Sequence, residues 1–240
     1  MGGGESGMDP RDEFLQRVVG GKTFAEIGGL WGATQERVSV AHQFGATQLT
    51  MIDVLPPLNE WWKAFDQRMT DMGIADRVST LSGDIMAMRV GPYDVTHSSG
   101  ILYHLPSPID YLIALYRITR EYCVLTSAVH PTEISNRFGS VKLEPGQGFF
   151  VPAMSPQHKA IYAEFYTDGN DQVMLGGINR DTVFLPSNYV PWWWLLPPDT
   201  IAAMCRATGF EVVADAPNWA GKAHTFLLRN TGVCDVQPTG

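Results

Sequence analysis

Along residues 22–127 the apolar positions fall into two alternating patterns: short continuous apolar runs, and longer stretches whose apolar positions recur at helical spacing. Strands joined by crossover helices in a parallel sheet produce that pattern. Strands are predicted at Thr23–Ile27, Leu49–Ile52, Val78–Leu81, Tyr93–Ser98 and Tyr122–Ser127. The helices between them run from just after Gly32 to about Phe44, from Glu60 to Met72, and from Pro108 to Arg120. Gly45 and Gly73 stop the first two, and Asn59 caps the second. Ahead of this region, Gly2 to Gly7 reads as a flexible leader before an N-terminal helix.

The rhythm breaks between Ala128 and Pro198, where Gly, Pro and aromatic residues crowd together and only Pro156–Tyr166 has helical spacing. A structureless loop of that length is uncommon in a compact domain, so an inserted cap with structure of its own is expected. Regularity returns with Asp199 as an N-cap, a helix Thr200–Ala207, and the strands Phe210–Ala214 and Ala223–Leu228 as an antiparallel pair at the sheet edge. The prediction is a single α/β domain over residues 22–229: a Rossmann-like, mostly parallel seven-stranded sheet with helices on both faces. An aromatic-rich cap enters at about 128–198, and residues 230–240 form a loose tail.

Composition narrows the function. In 240 residues, 17 Lys and Arg face 25 Asp and Glu for a net charge of −8, which repels a phosphate backbone and argues against nucleic acid as a partner. The three cysteines, Cys123, Cys205 and Cys234, signal neither a disulfide framework nor a zinc site, so a reducing, cytoplasmic location is expected. No apolar run approaches the ~20 residues that span a bilayer, and no signal peptide is visible.

The candidate chemistry sits at successive strand ends. Glu26-Ile27-Gly28-Gly29-Leu30-Trp31-Gly32 marks a strand-to-helix junction, where glycines let the backbone turn tightly and approach a ligand. A dinucleotide fingerprint would require Gly-x-Gly-x-x-Gly, and a phosphate loop would end in Gly-Lys-Ser/Thr; neither is present. A plain glycine turn remains the alternative for the motif taken alone. Asp53 ends the second strand, where doubly wound folds hold a ribose diol, and Asp84 ends the third after Gly83.

Together with Tyr93-Asp94-Val95-Thr96-His97-Ser98-Ser99-Gly100-Ile101-Leu102-Tyr103-His104-Leu105, these motifs resemble, in order and spacing, those of class I S-adenosylmethionine-dependent methyltransferases. The resemblance implies a cofactor site of Glu26, Gly28, Gly29, Gly32, Asp53, Val54, Asp84, Ile85, Ser98 and Ser99. In it the glycine loop wraps the methionine end, Asp53 binds the ribose, Asp84 binds the adenine amine with Ile85 against the ring, and Ser98 to Gly100 line the sulfonium. The Leu-Tyr-His segment is also similar to that of tRNA wobble-uridine modifying enzymes. The overall layout is similar to the O-methyltransferases of mycobacterial methylmannose polysaccharide synthesis, which implies a short methylmannoside as acceptor.

Two histidines, His104 and His130, stand at strand edges; the resemblance implies that Tyr103-His104 face the acceptor, while a structural hydrogen bond for His104 and a turn position before Pro131 for His130 are the alternatives. A hydroxyl acceptor must lose a proton during attack, and either an imidazole or a divalent cation such as Mg2+ serves that need. His97, inside a strand, reads instead as a buried, hydrogen-bonded core residue. The cap's Phe149, Phe150, Tyr162, Phe165, Tyr166, Tyr189 and Trp192-Trp193-Trp194 suit stacking on a sugar or planar ring. They suit equally a small core of the cap itself or the interface of a homo-oligomer. The function expected is O-methylation of a small molecule, a sugar in first place. The alternatives are a tRNA-modifying enzyme, an NAD-dependent oxidoreductase and a non-catalytic cofactor-binding protein.

Overall fold

The computed structural model describes residues 7–31, 35–166 and 191–232. Most of the leader, the tail beyond residue 232, Gly32, Tyr189 and Cys234 lie outside them. Among the described residues no helix is long and apolar enough to cross a membrane.

Seven strands form one sheet: β1 (Thr23–Ile27), β2 (Gln48–Asp53), β3 (Val78–Ser82), β4 (Tyr93–Ser99), β5 (Thr119–Ala128), β10 (Phe210–Asn218) and β11 (Ala223–Asn230). Their spatial order is β10-β11-β5-β4-β1-β2-β3. β3, β2, β1, β4 and β5 are mutually parallel, and β11 runs antiparallel to both β5 and β10. This is the Rossmann-like, mostly parallel arrangement that the alternating pattern predicts.

Helices cover both faces. α1 (Pro10–Val18), α2 (Val38–Gln43) and α3 (Glu60–Asp71) bury Phe14, Leu15, Val38, Trp62 and Phe65 on one side. On the other, α4 (Pro108–Ile118) and α6 (Pro198–Ala207) bury Tyr111, Leu112, Leu115, Ile201 and Cys205. α3 is amphipathic and capped as expected, the Asn59 side chain accepting from the Trp61 amide at 2.9 Å.

Several boundaries differ from expectation. α2 is a short helix rather than one running from just after Gly32, because it begins where the carboxylate of Glu26 meets it. α4 ends at Ile118, and β5 starts at Thr119, where the threonine hydroxyl bonds back to the Leu115 carbonyl at 2.6 Å. Asp199 is not the cap of α6: Pro197 takes that position and Pro198 starts the helix, which places Asp199 in its first turn. β10 continues past Ala214 to Asn218, with a register shift between Val212 and Ala214.

Residues 128–198 carry structure of their own. A hairpin of β6 (Glu133–Asn136) and β7 (Gly139–Lys142) packs on α5 (Pro156–Tyr166), and β8 (Phe149–Phe150) pairs with β9 (Trp194–Leu195). Their shared core contains Ile134, Val141, Ile161, Tyr162, Tyr166 and Trp192. Much of the aromatic supply of the cap is therefore its own interior.

Candidate active site

The order of parallel strands reverses between β1 and β4, and in open α/β sheets ligands bind at the carboxyl ends of strands flanking such a point. Register brings the relevant residues level. Ile27 pairs with both Ile52 and Ser98, so Gly28, Asp53 and Ser99 leave the sheet at one height, and Ser82 beside Asp53 leads into Gly83 and Asp84.

Two glycines of the junction make room for the protein's own side chains. Gly28 has φ 75°, and a Cβ there would lie 2.3 Å from Cδ1 of Ile101, which follows β4. A Cβ on Gly29 would lie 2.4 Å from the carboxyl carbon of Glu26. Glu26 is buried, and it passes under the loop to reach α2. Its Oε2 accepts the Arg37 amide at 2.6 Å and the Val38 amide at 3.1 Å, while Oε1 lies 3.1 Å from Nδ1 of His97. The cofactor role expected of Glu26 is corrected accordingly: the carboxylate caps α2 from a neighbouring strand, satisfying amides that a helix start leaves open. His97 is the buried hydrogen-bonded residue expected, and burial lowers its pKa despite Glu26 beside it.

Asp53 is nearly buried at the end of β2. Its carboxylate accepts the Leu55 amide at 3.0 Å and the Leu30 amide at 3.3 Å. Burial raises its pKa against those two hydrogen bonds. Val54 beside it is exposed. Asp84 is half-buried, with Oδ1 accepting the Met86 amide at 2.8 Å and, among the described residues, no partner at the other oxygen.

Two expectations shift. Ser98 is fully buried and shares a hydrogen bond of 2.8 Å with the Tyr111 hydroxyl of α4, so it braces the sheet against that helix instead of facing the crevice. Ile85 is buried in the same cluster as Ile27 and Ile52 and is a core residue here. Ser99, by contrast, is half-exposed, with Nη1 of Arg11 3.5 Å from its hydroxyl.

Arg11 belongs to a polar knot that sequence reasoning missed. Asp9 caps α1 through the Arg11 amide at 2.9 Å and also takes the Arg11 guanidinium at 2.5 Å. Arg37 reaches the same carboxylate at 3.3 Å and Asn218 at 3.1 Å, and Arg37 pairs with Asp12 at 2.6 Å. Burial alone would raise the Asp9 pKa, but the hydrogen bonds and charge of Arg11 hold it well below the usual carboxylate range. Asp9-Pro10 is a readable helix start; the long-range partners are not.

On the acceptor side, His104 is half-buried and its Nδ1 lies 3.1 Å from the Pro191 carbonyl. A carbonyl can only accept, so Nδ1 donates in this hydrogen bond. His130 is closed from solvent at 0% exposure, stacked parallel on Phe149 and edge-on to Tyr162. Among the described residues neither of its ring nitrogens has a hydrogen-bond partner, nor has the Tyr162 hydroxyl. Burial pushes the His130 pKa down to about 4. Among the described residues no three His, Cys, Asp or Glu side chains converge on a metal position.

The crevice suits S-adenosylmethionine on its own geometry: an acid at the end of β2 with acceptor capacity to spare, a second acid after β3, and backbone turns at the switch point.

Solved structures share the architecture at low identity. The mitomycin 7-O-methyltransferase matches over 92% of this chain and 53% of its own, with a TM-score of 0.56 and 14% identity. This chain thus spans about half the length of that enzyme. The 1,6-didemethyltoxoflavin-N1-methyltransferase of Burkholderia thailandensis, solved with 1,6-didemethyltoxoflavin and S-adenosylhomocysteine, matches over 92% and 77% at TM-score 0.56 and 14% identity. The chain has the class I methyltransferase fold. A 4+2 cyclase matches it as well, over 92% and 80% at TM-score 0.57 and 13% identity, so the fold leaves the reaction to the site. No protein-family model matches the chain, and no curated protein matches it.

Proposed function

We propose that the protein transfers a methyl group from S-adenosylmethionine to a hydroxyl of a small, weakly charged acceptor, with a sugar or oligosaccharide in first place. The observation that carries this reading is Asp53. A buried carboxylate with raised pKa at the carboxyl end of β2 is relieved by a ligand that donates to it, and a ribose diol supplies two donors. Val54 lies beside the ribose, Asp84 accepts from the adenine amine, and Ser99 with the Gly28-Gly29 turn flanks the methionine end.

When bound, S-adenosylmethionine supplies an electrophilic methyl group on sulfur. The protein's task is to hold the acceptor oxygen in line with that carbon, which accounts for roughly 7–11 kcal/mol of a typical barrier. His104 takes the hydroxyl proton. His130, neutral and weakly basic, stands behind Phe149 on the acceptor side with both ring nitrogens unpartnered among the described residues. The mitomycin enzyme with which it shares its fold is an O-methyltransferase, in line with oxygen as the acceptor atom.

Calorimetry with S-adenosylhomocysteine tests the reading. A Kd on the order of tens of micromolar or tighter is expected, weakened at least about tenfold by Asp53→Ala. No binding, or binding indifferent to that substitution, refutes it.

A further inference from the structure

Among the described residues, only Trp219 and Ala220 hold left-handed backbone without being glycine, with φ of 46° and 53°. They form the turn between β10 and β11, where glycine or asparagine would avoid the steric cost. The turn is fastened at its base. Asn218 Oδ1 accepts the Trp219 amide at 2.7 Å, and its Nδ2 donates to Thr225 at 3.0 Å and to Asp9 at 3.1 Å. Sustained strain of this kind persists where surrounding contacts enforce it, and it clusters at functional sites.

What the strain achieves is the position of the indole. Trp219 is half-buried against the cap core, and its Cη2 lies 3.9 Å from where a Cβ on Gly100 would stand. The Tyr103 hydroxyl lies 3.6 Å from the same point. Gly100 follows directly on Ser99, so all three groups meet at the carboxyl end of β4, beside the crevice. Tyr103 is 8% exposed, its hydroxyl keeps some access to solvent, and among the described residues that hydroxyl makes no hydrogen bond. A hydroxyl that makes no protein hydrogen bond and opens beside a side-chain-free position is placed to donate to or accept from a ligand there.

We infer that Trp219 and Tyr103 form the acceptor-holding corner of the site: the indole stacks on the face of a neutral hydroxylated ring while the Tyr103 hydroxyl bonds to an oxygen of that ring. The inference deepens the methyltransferase reading and rests on it. A pyranose and a phenol both present such a ring, and the test separates them.

Wild type, Trp219→Phe, Trp219→Ala and Tyr103→Phe are each saturated with S-adenosylhomocysteine and titrated, by ligand-observed NMR, with methyl α-D-mannopyranoside and with 4-methylcatechol. At least one probe is expected to bind wild type, the mannoside marking a sugar site and the catechol an aromatic one. Trp219→Ala should weaken that probe about tenfold, with Trp219→Phe within about threefold of wild type. Tyr103→Phe should weaken it about fivefold. Affinity for S-adenosylhomocysteine should stay within about twofold throughout. The inference is overturned if neither probe binds the wild-type complex, or if Trp219→Ala binds as tightly as wild type. Should Trp219→Ala fail to fold, unchanged probe affinity in Tyr103→Phe overturns it instead. Failure of wild type to bind S-adenosylhomocysteine is a separate result that removes the underlying reading.

Discussion

Glu26 reaches the start of α2 through space that Gly29 leaves open. The carboxyl carbon lies 2.4 Å from where a Cβ on residue 29 would be, and Oε2 accepts the Arg37 and Val38 amides beyond it. A residue in strand β1 thus caps a helix that follows eleven residues later in the hydrogen bond to Arg37. Gly29→Ala forces the carboxylate out of this path. Overpacking of this size costs about 1–3 kcal/mol, so the urea midpoint should fall with little change in slope. An unchanged midpoint would show that the loop relaxes around the methyl group.

His130 gives the protein a pH dependence with a defined sign. Its folded pKa is pushed down from 6.5 to about 4, so between those values the unfolded chain binds the extra proton. Stability therefore rises with pH across that window and is lost on acidification through it. His97, lowered by burial, acts in the same direction. His130→Phe keeps a flat ring against Phe149 and removes two unpartnered nitrogens, each of a kind that costs about 1–3 kcal/mol when buried. Melting temperatures should rise in the variant, more at pH 5 than at pH 8, while methyl transfer falls. A variant that melts lower at pH 5 would contradict this account.

Asp9 balances two guanidiniums. Removing it in Asp9→Ala takes away the cap of α1 and leaves Arg11, itself buried, without its closest counter-charge. A loss of about 2–4 kcal/mol is expected, read by equilibrium urea unfolding. Asp9→Asn, which keeps a cap oxygen and loses the charge, should fall between the two.

Ala220 holds φ 53° at no evident benefit to its own side chain. Ala220→Gly should stabilise the fold by up to about 1 kcal/mol, seen as a higher melting temperature, without displacing the Trp219 indole. A lower melting temperature would show that the turn is not strained at this residue.

Much of this fold is written in local pattern. The alternation from Thr23 onward yields β1 to β5 in order, the Asn59 cap and Gly73 bound α3, and the antiparallel closing pair follows from the last two apolar runs. Such features depend on spacing and on a few neighbouring residues, which a sequence contains in full. Asp53 and Asp84 were legible for the same reason, as acids placed at strand ends.

Other roles depend on residues distant along the chain. Whether Glu26 faces a ligand or a helix is settled by a path that exists only once α2 packs beside β1. Ser98 turns to Tyr111 because α4 lies over that face, and Ile85 is core because the cluster around Ile27 and Ile52 closes on it. The cap tryptophans and tyrosines divide between interior and surface according to how the cap folds back on β9, which composition cannot express. Trp219 shows the limit most sharply. Nothing in Asn218-Trp219-Ala220-Gly221 announces two left-handed residues, since the turn is held by Asn218 bonding both to Thr225 across its own hairpin and to Asp9 from the far end of the chain. The sequence determines which elements form and which strand ends carry charge; which side chains meet there is fixed by packing between elements far apart in the chain.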